Sequence, residues 1–166
     1  MLKWGSYALG LLLCTMLQTT PGLFQLGQAK PLYLLPLCLA VAMFEGEFAG
    51  ALFGMVCGLM WDYTAGRTVG MLALELLILC FAVSVAVQLY LKVSPANFAL
   101  LCGAAALLVL SCDFLFFYWM PGYSGAVWRW LTFVLPSAAL TLPVSLLLFR
   151  AVQRIHQEFW IDNGVV

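Results

Sequence analysis

From Trp4 to Phe149 the chain is a succession of apolar runs, parted only by short polar or Gly/Pro-containing breaks. That pattern limits the fold more than any other feature. A membrane-spanning helix needs about 20 mainly apolar residues, and 65% of the 166 residues, about 108, are apolar. Five or six spans would absorb nearly all of them. Charged residues make up 8%, against about 25% in soluble domains, too few to cover a water-soluble globule. The sequence therefore predicts an all-α integral membrane protein. It is read as a compact bundle of six transmembrane helices, forming a single polytopic membrane domain over residues 1–166.

The runs place helices at 4–20, 31–44, 48–62, 69–91, 96–120 and 127–149, with a tail at 150–166. The first follows Lys3 as a signal peptide would, but Leu17-Gln18-Thr19-Thr20-Pro21 offers no small-residue cleavage site. It reads as a retained helix. The second is short and carries Pro36, a length that suits a re-entrant segment as well as a span. Pro136 and Pro143 predict kinks in the sixth. Lysine and arginine favour the cytoplasmic side. Six spans with both ends inside put Lys3, Lys92, Arg150 and Arg154 there, against Lys30, Arg67 and Arg129 outside. The expected placement is thus a plasma (inner) membrane protein with cytoplasmic N- and C-termini.

The chain's most distinctive local pattern is Gly50-xxx-Gly54-xxx-Gly58-xxx-Asp62-xxx-Gly66-xxx-Gly70. A four-residue step drifts about 40° around a helix, so Gly50, Gly54, Gly58 and Asp62 share one slowly winding stripe. Lipid does not drive apolar helices together, so close association relies on small residues that let backbones approach. The stripe is expected to pack helix three against a neighbour within the chain, and it also offers a surface for a partner or for self-association. Gly66 reads as a turn position and Gly70 as the start of helix four.

Ionisable residues at membrane depth are costly and should be paired or face a cavity. Asp62, Arg67, Glu75, Asp113 and Arg129 all fall towards the outer side of the six-helix arrangement. Structural ion pairs are the plainer reading of this outer cluster. A small outward-opening polar cavity for a ligand or a partner's basic group is the functional one. Glu45 and Glu47, on the other side, read as solvated caps at the start of helix three, where the helix dipole favours anions.

Other functions find few parts. Net charge is zero and no basic run is present, which leaves no footprint for nucleic acid. The six cysteines form no C-x-x-C pair and lie in apolar stretches, so no metal or cofactor site is expected of them. The single histidine, His156, lies beyond the last run, and no nucleophile elbow, zinc-protease helix motif or phosphate loop is present. An intramembrane aspartyl enzyme would have to be assembled from Asp62 and Asp113, around which no known signature repeats. The chain is expected not to be an enzyme.

Glu45-Gly46-x-x-x-Gly50-Ala51-Leu52-x-Gly54-x-x-x-Gly58-Leu59-x-x-Asp62-x-x-x-Gly66-x-x-x-Gly70 resembles the signature of the rod shape-determining protein family MreD. Size, six apolar segments and a short second segment agree with it. Glu75 and Asp113 map to no part of that pattern, so the cavity reading does not come from the resemblance. The resemblance implies a non-enzymatic subunit of the bacterial cell-elongation machinery, without cofactors. It would bind the bitopic membrane protein MreC, and couple the filament protein MreB indirectly to peptidoglycan synthesis by RodA and a penicillin-binding transpeptidase. The family is also similar in fold to the S components of energy-coupling-factor transporters. The rival reading, supported by the clustering of Asp62, Glu75, Asp113 and Arg129 on one side, is a small-molecule (vitamin-type) binding transporter subunit with an outer pocket.

Overall fold

The computed structural model describes residues 2–20, 29–66, 70–90, 93–122 and 126–162. All six expected helices are present: α1 (Leu2–Thr19), α2 (Leu34–Glu45), α3 (Glu47–Ala65), α4 (Met71–Leu89), α5 (Pro95–Phe114) and α6 (Ala126–Asp162). Beyond Phe114, α5 widens into one π-helical turn, Leu115–Trp119. Pro95 opens α5 at a position where a proline's missing N–H costs nothing, after an extended Ser94. Among the described residues, Met71–Leu89, Pro95–Trp119 and Val127–Gln157 are long and apolar enough to cross a membrane.

The short second segment turns out to be the centre of the bundle. Every residue from Leu34 to Met43 is buried, and α2 packs on all five other helices. At 12 residues it is roughly 18 Å long, less than the roughly 30 Å hydrocarbon core. A non-helical lead-in, residues 29–33, precedes the helix. The Leu32 N–H donates to Thr141 Oγ1 of α6 at 3.1 Å, whereas Glu45 at the far end of α2 meets His156 Nδ1 of the same helix at 3.2 Å. Lead-in and helix therefore run along α6 in one direction without doubling back. Gln18 of α1 clamps the entry, its Oε1 accepting the Tyr33 and Leu34 N–H groups at 3.0 and 3.2 Å. These are two donors that the start of a helix otherwise leaves unpaired.

The sixth helix differs from its sequence boundary. The stretch read as a tail from residue 150 is helical as far as Asp162, and α6 has 37 residues, roughly 55 Å. Phe149 and Val152 are buried and Ile155 is half-buried against the core. Spacing of three places them on one face. The Phe149 ring packs at a tilt on Phe98 and Phe44, with centroids 4.9 and 5.5 Å away, and His156 lies 5.2 Å from Phe44. These contacts hold the helical extension against α2 and α5.

Candidate functional site

The glycine stripe faces inwards. A Cβ on Gly50 would lie 2.5 Å from Ala42 Cα of α2, one on Gly54 2.7 Å from Cys80 Sγ and 2.9 Å from Leu76 O of α4, and one on Gly58 2.4 Å from Ala73 Cα of α4. All are closer than side-chain carbons ordinarily pack. The first step of the stripe thus lies on α2 and the next two on α4, following the slow rotation of the four-residue repeat. A partner's helix has no room at these three positions.

Asp62 is bonded to both Gly66 and Gly70. The Asp62 backbone carbonyl accepts the Gly66 N–H, with Gly66 left-handed at φ +64°, a conformation that costs other residues about 1 kcal/mol or more. The Asp62 carboxylate, 1% exposed, accepts the Gly70 N–H at 2.8 Å. One residue therefore ends α3 through its backbone and anchors the start of α4 through its side chain. An added Cβ on Gly66 or Gly70 would meet nothing within 4 Å, so these two glycines serve backbone conformation and not close packing.

The remaining members of the outer cluster are dispersed. Arg67 lies outside the described residues. Glu75 borders a cleft of about 530 Å³ between α4 and α5, walled by Leu74, Ile78, Leu108 and Phe116. Its neighbour there is the Cys112 thiol, and its Oε1 has no hydrogen-bond partner among the described residues. Asp113 and Arg129 line a separate cavity of about 260 Å³ beside the π-helical turn. Arg129 donates to the Tyr118 hydroxyl and holds its guanidinium carbon 4.9 Å from that ring's centroid, a cation–π contact. The structure thus brings Asp113 and Arg129 together, and leaves Asp62 in its turn and Glu75 in the α4–α5 cleft.

At the opposite end of the bundle stands a constellation not found from the sequence. Glu45 closes α2 instead of opening α3, and Gly46 (φ +88°) separates the two helices. Its Oε1 lies 2.7 Å from Lys3 Nζ, accepts the Tyr7 hydroxyl at 2.7 Å, and is 3.2 Å from His156 Nδ1. Its side chain is 9% exposed, so it is no solvated cap. Burial opposes its ionisation, but the bonds from Lys3, Tyr7 and His156 outweigh burial and hold its carboxyl below the ordinary range. A helix C-terminus disfavours an anion, and that is the signal which would have predicted cationic partners. α1, α2 and α6 are tied together at this point.

Among the described residues, no group of three His, Cys, Asp or Glu side chains is placed to hold a metal ion. A family model described as rod shape-determining protein MreD matches residues 1–153 of the chain. No curated protein and no solved structure matches it.

Proposed function

The chain belongs to the MreD family of rod shape-determining proteins, and on that premise we propose that it is a non-enzymatic scaffold of the bacterial cell-elongation complex that binds MreC. It is a multi-pass membrane protein with a role in rod-shape determination. The observation that carries the finer reading is the family match over all but the last 13 of 166 residues. Every helix of the bundle falls wholly or mostly within that match. In this reading both termini are cytoplasmic, the Glu45 constellation lies inside, and Asp113 and Arg129 lie outside. MreB, RodA and the transpeptidase are reached through MreC.

The surface supports a role in holding partner helices. Apart from the 14 residues between α1 and α2, connections between helices are short, and exposed apolar side chains line α1, α3, α4 and α5, among them Leu13, Leu52, Leu74 and Leu108. Such a protein can offer partners helix faces and little else. Because Gly50, Gly54 and Gly58 are occupied internally, partner capture falls to these outward faces. Photo-crosslinkers at Leu52, Leu74 and Leu108 in native membranes should trap MreC from one of them. Correctly inserted protein that traps no MreC from any would refute the assignment.

A further inference from the structure

The outward face of α6 changes character towards one end of the bundle. Pro143, Leu147, Arg150 and Arg154 are all exposed. Steps of four, three and four residues turn about 400°, 300° and 400° around a helix, so the four side chains stand within a stripe about 60° wide. Leu147 is 68% exposed in a helix long and apolar enough to cross a membrane, and so faces acyl chains. Arginine takes over three residues, roughly 5 Å, further along. Neighbouring helices fix the depth of that change. Phe149 packs on Phe98, in the first turn of α5, and on Phe44, the penultimate residue of α2. Arg150 therefore lies where α2 ends and α5 begins. The 20 residues from Trp130 to Phe149 measure roughly 30 Å, the thickness of the hydrocarbon core. Both arginines thus stand at the headgroup boundary, about one helical turn apart on one face.

The protein neutralises neither of them. Lys3 and His156, at the same end, converge on Glu45, and Arg129, at the other end, is held by Tyr118. Arg150 and Arg154 make no ion pair, hydrogen bond or ring contact among the described residues. The helices against which α6 packs, α1, α2 and α5, bring no spare carboxylate there. α1 has none, Glu45 of α2 is already engaged, and Asp113 lies near the far end of α5. A pair of free guanidinium groups that continues an acyl-facing stripe suits a ligand with phosphate at one end and hydrocarbon at the other. A soluble acidic segment would meet the arginines but leave Leu147 bare.

We propose that Arg150 and Arg154 form a binding site for one anionic phospholipid, with its phosphate held between the two guanidinium groups and an acyl chain laid along Leu147 and Pro143. Guanidinium N–H groups match phosphate oxygens in pairs, and each arginine near an anionic membrane surface strengthens attachment to it. The inference needs only that the bundle spans a membrane, and does not rest on MreC binding.

The test uses the full chain in detergent micelles doped with equal amounts of phosphatidylglycerol and phosphatidylcholine, and native mass spectrometry to identify the lipid most tightly retained. The expected result is a phosphatidylglycerol preference of about thirtyfold in the wild type, about fivefold in Arg150→Gln and in Arg154→Gln, and none in the double variant, each arginine carrying about a fivefold share. Both side chains are exposed on the outside of a helix, so the variants should unfold at the wild-type temperature. Arg129→Gln removes the same charge at the other end of the bundle, where Tyr118 already occupies it, and should keep the wild-type preference. Absence of a preference in the wild type, as for a face that meets an acidic protein segment instead, overturns the proposal. So does a preference undiminished in the double variant, or an equal loss in Arg129→Gln, as net charge alone would give.

Discussion

Replacing Gly58 by alanine tests the close approach of α3 and α4 directly. The new Cβ would lie 2.4 Å from Ala73 Cα, 2.6 Å from Ala73 N and 2.8 Å from Leu72 C. All three are backbone atoms, and no side chain can swing aside. Carbon atoms pack at about 3.5–4.0 Å, so the helices must part locally by roughly 1 Å, a gap that already forfeits a quarter to a half of each contact's attraction. Overpacking of this kind typically costs 1–3 kcal/mol, and alanine returns about 1 kcal/mol of helix propensity. With backbone on every side the strain falls at the upper end, leaving a net loss of about 2 kcal/mol. Gly54→Ala should lose less, because its nearest obstacle is the Cys80 side chain, although Leu76 O at 2.9 Å keeps it destabilising. Gly5→Ala is the control: it lies in α1 with nothing within 4 Å of the added carbon, and it should be neutral or gain up to about 1 kcal/mol. Equilibrium unfolding in mixed micelles with rising dodecyl sulfate, read by tryptophan fluorescence, ranks the three. A Gly58→Ala protein as stable as Gly5→Ala would refute the packing argument.

Asp62→Leu strands the Gly70 N–H and should cost about 1–3 kcal/mol in the same unfolding assay, whereas Asp62→Asn keeps an oxygen acceptor and should lose less than half of that; equal losses would show that the carboxylate's hydrogen bond is not what anchors the turn. Glu45 has a folded-state pKa held below its ordinary value, so its ionised form contributes stability that is complete above the ordinary glutamate value and is lost as pH falls through and below it. Unfolding measured between about pH 6 and pH 3 should show wild type losing its advantage over Glu45→Gln as the solution is acidified, and parallel curves would refute the role given to the carboxylate.

The helices themselves could be read from the sequence because apolar runs and their Gly/Pro breaks report directly on where chain can and cannot cross lipid. Their arrangement could not. Leu34 to Met43 and the run in α4 are both simply apolar, and hydropathy does not distinguish a helix enclosed by protein from one bathed in lipid. The extension of α6 was hidden for the opposite reason: Arg150, Arg154 and His156 make the stretch look polar, and only the three-residue spacing of Phe149, Val152 and Ile155 betrays a packed face. Glu45 was misplaced by a single boundary. Assigned to the start of α3 it looks satisfied by the dipole, and assigned to the end of α2 it demands a cation such as Lys3. The outer charges looked like one cluster because depth in the membrane was legible and position around the bundle was not.

The central position of α2 also bears on how the protein is made. Its lead-in is held by Thr141 and its far end by His156, both on α6, which leaves the ribosome well after α2. Until α6 emerges, a 12-residue segment too short to cross the bilayer alone has no enclosing wall on that side. Enclosure of the second segment is therefore completed only once α6 is in place, and a nascent chain stopped before α6 leaves that side of it open. Chains truncated before Thr141 should therefore be degraded faster in the membrane than chains that include α6.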